Sequence, residues 1–491
     1  MEVVLYTSPP EIVRIHHEEA IKSNVVIVPV VGSKDDYRLP EGGERFKSIL
    51  EAAASTGAFK FKQGEVFQSI IDGVLVFFAG CEKPEAEYLR RCIASAVKQA
   101  SRRYNEVTIL AGGLFEGSEF EAAISAALAA YSLDEFRKER RIKLSKILVT
   151  GDFNVDEARA IVEGIYLARD VANAPPNELA PRRLAEHVRR IFSQLEGIEV
   201  KVLSYEDLLK GGFGGIVSVG KGSEEKPVLI VISYDGGEGD PVALVGKTVV
   251  FDSGGINLKP SQGITLMRSD KAGGAAVLGA TWIIARLRLP VKLYALLPVV
   301  INVPSGSSYL PSDVIKMWDG TRVEVNNTDA EGRLILADAI AYAAKKLGAK
   351  KVIDAATLTG AIVVALGPLV AGLFTRSEDL AKIIEEAAEA TGEKVWRMPM
   401  VDEYKAWLTK APLGDIVNVG GRYGGAIFAA LFLERFTHGA EWAHLDIAGP
   451  GIGLEAHGVA PSYWPEQQAP GYGARLLAET IKRLSQEVNG A

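Results

Sequence analysis

Strand-length apolar runs alternate with longer helical stretches along the whole chain, and this alternation limits the fold more than any other feature. Up to about residue 150 the runs are Val25 to Val30, Val74 to Phe78, Val107 to Leu110 and Ile147 to Val149. Further on they lengthen to Val228 to Ser233, Val242 to Phe251, Lys292 to Val299, Val352 to Ala356 and Ala443 to Ile447, with helical stretches such as Ala272 to Leu287 and Leu334 to Leu347 between them. Apolar runs separated by helices predict an α/β fold, a mixed or mostly parallel sheet flanked by helices. At 491 residues the chain exceeds what one core holds, so two such domains are expected. Their expected limits are an amino-terminal α/β domain over 1–152, a linking helix over 153–172, and a larger carboxyl-terminal domain over 173–491. The helical stretch Val155 to Ala172 runs into NAPPNELAP, whose prolines and asparagines read as a turn at the boundary.

Composition removes several classes of function. With 62 acidic against 55 basic residues the formal net charge is −7, which offers no general attraction to a phosphate backbone. Two cysteines, Cys81 and Cys92, supply neither a disulfide framework nor a thiolate zinc site, so any metal must rest mainly on oxygen or nitrogen. The amino terminus lacks a basic segment leading into an apolar stretch, which predicts a cytoplasmic protein. Ala355 to Thr375 runs 21 residues without a charge, near membrane-spanning length, but Thr357, Thr359, Gly360, Gly367, Pro368 and Gly372 within it predict a buried strand, a turn and a short helix instead.

In open α/β sheets, ligands gather outside the carboxyl ends of strands. Three loops so placed are chemically dense: FDSGGINLKP, NNTDAEGR and ATLTGA. The spacing of Asp329 and Glu331 means little by itself, since chance alone gives about eight acid pairs at that separation in this chain. Context carries the argument. Asp329, Glu331 and Arg333 are expected in a loop just before a helix, whose first N–H groups favour a nearby anion. Asp252 precedes Gly254 and Gly255, which let the chain turn sharply and present a carboxylate, and Asp270 stands before AGGAAVLGA, whose small residues suit close packing of a helix on a sheet. Four carboxylates in one pocket repel one another unless divalent cations hold them ionised, and paired metal ions are a recurrent device for hydrolysis. Lys259 and Lys247 lie near the same loops, Lys259 suited to polarising a carbonyl.

Each of these residues taken alone has a plainer reading, a turn or helix cap for Asp252 and Asp270 and a solvated charge for Lys247, Lys259 and Arg333. The histidines form no rival site: His16 and His17 are adjacent in a charged helix, while His187, His438, His444 and His457 lack paired ligand spacing. His444, in an apolar run, reads as a hydrogen-bonded core residue. Gly215 to Gly222 matches a phosphate loop until Gly222 replaces the Ser or Thr that would hold magnesium. In LVGKTVV the required first glycine falls on Pro241, and a strand rather than a helix is expected to follow.

Four segments, VGKTVVFDSGGINLKP, MRSDKAGGAAVLGA, NTDAEGRLILADA and DAATLTGA, occur in the order found in the leucine aminopeptidase family of dizinc metallopeptidases, which the chain resembles over roughly residues 160 to 460. NAPPNELAP, GGRYGGAIFAALFLERF and WAHLDIAGP extend the likeness, and NTDAEGRL is the most specific of these motifs. The resemblance implies that the carboxyl-terminal domain is catalytic and binds two divalent metal ions, Zn2+ or Mn2+. Lys247, Asp252, Asp270 and Glu331 would bind one, and Asp252, Asp329 and Glu331 the other. An amine ligand must be neutral, so metal binding would drive the proton off Lys247. A water bridging both ions would attack the scissile carbonyl, polarised by Lys259, with a bicarbonate near Arg333 as general base. The pocket for the first side chain would include Met267, Asn327, Thr357, Leu358 and Gly360, where Met267 suits leucine-like residues. Peptides are the implied substrates, and a homohexamer of two trimers the implied assembly.

Lys271 follows the ligand Asp270 where the family more often has an uncharged residue, and on an extended segment it is expected to point away. The rivals are a nucleic-acid-binding or regulatory protein on the same scaffold, a silent homologue, and a nucleotide hydrolase. The first would need a basic strip such as Arg90, Arg91, Lys98, Arg102 and Arg103.

Overall fold

The computed structural model describes residues 7–454 and 458–490, so His457 and the first six residues lie outside it. The described residues fall into two units, one of residues 7–166 and 458–466, the other of 167–454 and 467–490.

The first unit is built on strands β1 (Glu11–Ile15), β2 (Val25–Gly32), β3 (Tyr37–Arg38), β4 (Val66–Ile71), β5 (Val74–Cys81), β6 (Glu106–Ile109) and β7 (Lys146–Thr150). They lie in the order β1-β7-β6-β2-β5-β4, with β3 on β2; only β3 and β4 run antiparallel to their neighbours. The central β2 is buried along nearly its whole length, whereas edge strand β4 is only half-covered. That is why β2 reads as a continuous apolar run. Phe46, Phe59, Phe61 and Phe78 fill the core on one face of this sheet with Val26, Val28 and Val30.

One expectation fails in this unit, and a requirement of the nucleic-acid rival is only partly met. His16 and His17 sit in a turn, not a helix, because β1 ends at Ile15 and the His16 carbonyl already accepts from Glu19 N at 3.0 Å. Of the basic strip, Arg102 and Arg103 are exposed, but the other three members are engaged within the protein. Arg90 is buried and paired with Glu121 at 2.6 Å and Glu87 at 3.6 Å, Arg91 is paired with Glu87 at 2.7 Å, and Lys98 donates to the Trp464 carbonyl at 3.0 Å. Those three charges, already engaged in this way, have little left to offer a phosphate.

The second unit carries β8 (Ile198–Leu203), β9 (Val228–Asp235), β10 (Val242–Gly246), β11 (Thr248–Asp252), β12 (Lys292–Asn302), β13 (Val314–Lys316), β14 (Arg322–Glu324), β15 (Lys351–Ala356), β16 (Ala371–Thr375), β17 (Val395–Arg397), β18 (Ile416–Val417) and β19 (Glu441–Asp446). The main sheet runs β17-β16-β19-β15-β10-β12-β9-β8, with β11 beside β12, and β13-β14-β18 form a small separate sheet. From β19 through β15 and β10 to β12, and on to β11, neighbours are parallel; β9 and β16 reverse direction, so the sheet is mixed, as the alternating pattern predicts.

Helices Ala272–Arg286 and Glu331–Lys345 are buried along most of their length against this sheet. Each fully buried Leu or Ile among them, such as Leu334 and Ile335, contributes roughly 1.5–3 kcal/mol. Small residues set the approach of the first helix: a Cβ on Gly273 would stand 2.1 Å from the Ala355 carbonyl oxygen, and one on Gly274 2.1 Å from Thr248 Oγ1.

The run Val242 to Phe251 is two strands rather than one. Lys247 breaks it, because its carbonyl accepts from Gly274 N at 2.7 Å at the start of the helix, and beyond the break β11 pairs only with β12. Residues 355–375 form the end of β15, the helix Gly360–Leu366 and the buried strand β16. Among the described residues no helix is long and apolar enough to cross a membrane. The helix Gly214–Gly220 takes in all but the last two residues of the phosphate-loop match, and β11 starts on the threonine of the GKT sequence.

Candidate active site

Five polar residues mark the carboxyl ends of the five parallel strands: Lys247 after β10, Asp252 ending β11, Asn302 ending β12, Thr357 after β15 and Asp446 ending β19. This is the edge at which such sheets bind ligands. Asp270 reaches the same place from the end of the 3-10 helix Ile264–Ser269. Asp329 comes from the loop after β14, while Glu331 and Arg333 lie within the first turn of the helix Glu331–Lys345 and not in the loop before it. Backbone geometry makes this possible at two glycines. Gly254, at φ +88, turns the chain so that its N–H donates to Asp252 Oδ1 at 2.9 Å. Gly332 leaves room for Lys247, since a Cβ there would stand 2.6 Å from the lysine Cε.

Carboxylate oxygens of Asp252, Asp329 and Glu331 lie within 4.8 Å of one another. Asp270 joins them through Lys247, whose Nζ stands 2.8 Å from Asp270 Oδ1 and 2.9 Å from Glu331 Oε1 and donates to the Thr357 carbonyl at 2.8 Å. Lys259 Nζ bridges Asp252 Oδ2 at 2.8 Å and Asp329 Oδ1 at 2.5 Å. The Thr357 hydroxyl donates to Asp270 Oδ1 at 2.8 Å, and Asn302 Nδ2 donates to Asp252 Oδ1 at 2.8 Å.

Four carboxyl groups here face two ammonium groups. Burial, with Asp252 close by, pushes the Glu331 carboxyl up to about 8, and burial, partly offset by Lys247, pushes Asp270 up to about 6. Burial would strip the proton from Lys247, but Asp270, Glu331 and Asp252 outweigh it and hold the ammonium well above its usual range; Lys259 is raised in the same way, chiefly by Asp252. Asp270 Oδ2 and Glu331 Oε2 are buried without a hydrogen-bond partner. Orphaned carboxylate oxygens beside an excess of negative charge fit a divalent cation. They also explain why the lysine amine stays charged in the side-chain set alone, where it is itself the counter-ion.

Arg333 is buried, and its Nη1 donates to the Asn418 carbonyl at 2.7 Å; its guanidinium lies 5.7 Å from the Phe428 ring centroid, and Nε is buried without a partner. Burial lowers its pKa to about 10, so it remains a cation near neutral pH. Thr357 and Leu358 share the loop between β15 and the next helix, which Gly360 opens and Thr359 caps by accepting from Ile362 N at 3.1 Å. Met267 lies one turn before Asp270, and the Asn327 side chain accepts from Asp329 N at 2.8 Å.

Lys271 does turn away from the carboxylates, for a different reason than an extended strand. It is the cap of the helix Ala272–Arg286, fully buried, and its ammonium donates to the carbonyls of Ala174, Val250 and Arg268. His444 is the buried, hydrogen-bonded core residue expected, its Nδ1 2.6 Å from Asp354 Oδ1. Sequence reasoning passed over Asn302, Asn418 and Asp446. Asn418 ties the Asp329 loop down by accepting from Asn326 N at 2.8 Å and donating to the Asn327 carbonyl at 2.7 Å. For Asn302 and Asp446 the available signal is a polar residue closing an apolar strand.

Residues 166–478 match the model of the cytosol aminopeptidase family, catalytic domain. A probable cytosol aminopeptidase of Aeropyrum pernix is 57% identical over 488 residues, covering 98% of this chain and 99% of its own. One from Aquifex aeolicus is 38% identical, covering 88% and 90%. Among solved structures, the bottromycin maturation enzyme BotP in complex with Mn is similar with a TM-score of 0.83 and 31% identity, covering 94% of this chain and 99% of that one. A mutant of tomato leucine aminopeptidase is similar with a TM-score of 0.84 and 31% identity, covering 97% of each. A carboxylate cluster suited to divalent ions, at the ligand-binding edge of a mixed sheet, agrees with what these likenesses establish: the chain belongs to the cytosol aminopeptidase family, whose members are metal-dependent aminopeptidases.

Proposed function

We propose that the enzyme works with two divalent ions, zinc or manganese, and releases leucine-like residues from the free amino end of peptides. Lys247, Asp252, Asp270 and Glu331 would hold one ion, and Asp252, Asp329 and Glu331 the other. The observation that carries this reading is the convergence of three carboxylates within 4.8 Å, with Glu331 Oε2 and Asp270 Oδ2 buried and unpartnered beside them. When bound, such ions supply Lewis acidity toward the carbonyl and toward water, and an anchor for the substrate amine.

The protein's own side chains do the remaining work. Lys259, kept protonated by Asp252 and Glu331, presents a fixed positive charge to the carbonyl oxygen as it becomes anionic in the transition state. Arg333, a buried cation beside a helix start, holds an anion, in our reading bicarbonate, that takes the proton of the attacking water. Met267, Asn327, Thr357, Leu358 and Gly360 shape the pocket for the first side chain, and the adaptable Met267 favours apolar residues. Assembly as a homohexamer and residence in the cytoplasm rest on family membership alone.

Hydrolysis of leucine p-nitroanilide by metal-loaded protein, by chelated protein and by Glu331→Gln tests the reading. Both losses are expected to lower the rate at least about a hundredfold. A rate that survives both stripping and substitution rules the mechanism out.

A further inference from the structure

We infer that Asp446 is a positioning residue that sets the cluster's affinity for the ion assigned to Lys247 and Asp270, and not for the ion assigned to Asp329. The inference rests on the ligand assignment proposed above.

Asp446 closes β19 and is fully buried. Among the described residues it makes no hydrogen bond to a proposed ligand; it holds the loop that does. Its Oδ1 accepts from Leu358 N at 3.1 Å and Thr359 N at 3.4 Å, and its Oδ2 accepts from the Thr359 hydroxyl at 2.6 Å. A third backbone donor, Ala448 N, lies 3.3 Å from Oδ1. The Thr359 hydroxyl also accepts from Ile362 N at 3.1 Å, so one carboxylate pins both the loop and the first turn of the helix after it.

The preceding residue, Thr357, makes the connection to the site. Its carbonyl accepts from Lys247 Nζ at 2.8 Å and its hydroxyl donates to Asp270 Oδ1 at 2.8 Å. Both contacts go to ligands of the same proposed ion. Asp252 and Asp329 are held from elsewhere, Asp252 by Asn302 and Gly254 and the Asp329 backbone by Asn327. A carboxylate is suited to the task because it accepts from several donors at once, and a hydrogen bond to a charged acceptor holds more tightly than one to a neutral acceptor. Two residues back along β19, His444 pairs with Asp354 at 2.6 Å, and Trp442 Nε1 donates to the other Asp354 oxygen at 2.7 Å, which keeps the strand end behind Asp446 rigid.

A residue that merely held the fold would move both ion sites together or neither. Protein freed of metal by chelation is titrated with Mn2+ alone in a calorimeter, as wild type, Asp446→Ala, Asp446→Asn and Thr359→Val. Two steps are expected for wild type, and Asp329→Asn identifies the step belonging to the Asp329 ion. Asp446→Ala is expected to weaken the other step about 10- to 100-fold and to leave the Asp329-dependent step within about twofold. Asp446→Asn, which retains an acceptor for the backbone N–H groups, recovers most of that loss. If Asp446→Ala does not fold, Thr359→Val removes only the hydroxyl contact and weakens the same step severalfold. Equal weakening of both steps, or no weakening of either in a folded variant, overturns the role given to Asp446. A wild type with fewer than two steps overturns the two-ion assignment, and this inference with it.

Discussion

Gly332→Ala would displace the Lys247 amine without removing a single functional group. A Cβ at position 332 would lie 2.6 Å from Lys247 Cε, 2.9 Å from Cδ and 3.0 Å from Nζ. Ordinary contact begins near 3.4 Å, so Cε must yield by about 0.8 Å and Nζ itself by at least about 0.4 Å, the amine moving by the larger amount where it follows its carbon. The amine's contacts to Asp270, the Thr357 carbonyl and Glu331 are 2.8, 2.8 and 2.9 Å long, and a bond stretched by that amount passes the limit of about 3.5 Å. Stability responds in two directions. Alanine is about 1 kcal/mol better than glycine within a helix, while overpacking costs about 1–3 kcal/mol, so the net loss is between nothing and about 2 kcal/mol. Function has no such compensation, because a misplacement of about 1 Å in a catalytic constellation costs on the order of a hundredfold. Thermal melts, kcat and KM for leucine p-nitroanilide, and calorimetric metal titration together give the answer. A variant that folds almost as well as wild type, turns over about a hundredfold more slowly and binds metal more weakly is expected. Wild-type turnover and affinity in the folded variant would refute the claim that the amine must sit where it does.

Acidity provides a second test. Glu331, raised to about 8, and Asp270, raised to about 6, bind more protons folded than unfolded, so metal-free protein should lose stability as pH rises from roughly 4.5 to 7, while metal affinity rises as fewer protons need displacing. Melting temperatures of metal-free protein at the two ends of that range decide it, and greater stability at pH 7 would contradict the assignment. Arg333→Ala should lower kcat about a hundredfold with metal affinity unchanged, and wild type but not the variant should slow in bicarbonate-free buffer; a variant that still responds to bicarbonate refutes the role. His444→Phe leaves Asp354 with the Trp442 N–H but no imidazole and should cost about 3 kcal/mol in urea unfolding; a neutral result would show that the pair contributes nothing net.

Strands buried on both faces were the most legible part of the fold. The runs at β2 and β5 are apolar from end to end, and β12 is apolar between its Lys292 and Asn302 ends, because neighbouring strands and helices cover them. Where tertiary contacts override local pattern, the reading slipped. The single run expected over Val242 to Phe251 divides at Lys247, whose carbonyl is claimed by a helix starting at a distant point in the sequence. Likewise Glu331 and Arg333, read as loop, enter the helix because its first turn begins right after Ala330.

The candidate site shows a sharper boundary between what sequence carries and what it cannot. Asp252, Asp329 and Glu331 stand in segments whose glycines and flanking runs advertise a turn at a strand end, so chemistry and local geometry coincide. Asn302, Asn418 and Asp446 have no such flag, and their importance depends on which strands lie side by side. The sheet order β19-β15-β10-β12 brings Asp446 against Thr359, 87 residues away, and the pairing of β11 with β12 brings Asn302 against Asp252, 50 residues away. No local pattern fixes that order, because helices cover each of these strands in much the same way. Lys247 shows the same limit in its charge. Read alone it is a solvated cation, and in the folded side-chain set it remains a cation because the attraction of Asp270, Glu331 and Asp252 outweighs the cost of burying it. Its protonation state is therefore a property of the whole cluster, and on the ligand assignment proposed above it would change when a stronger positive charge enters the same carboxylates.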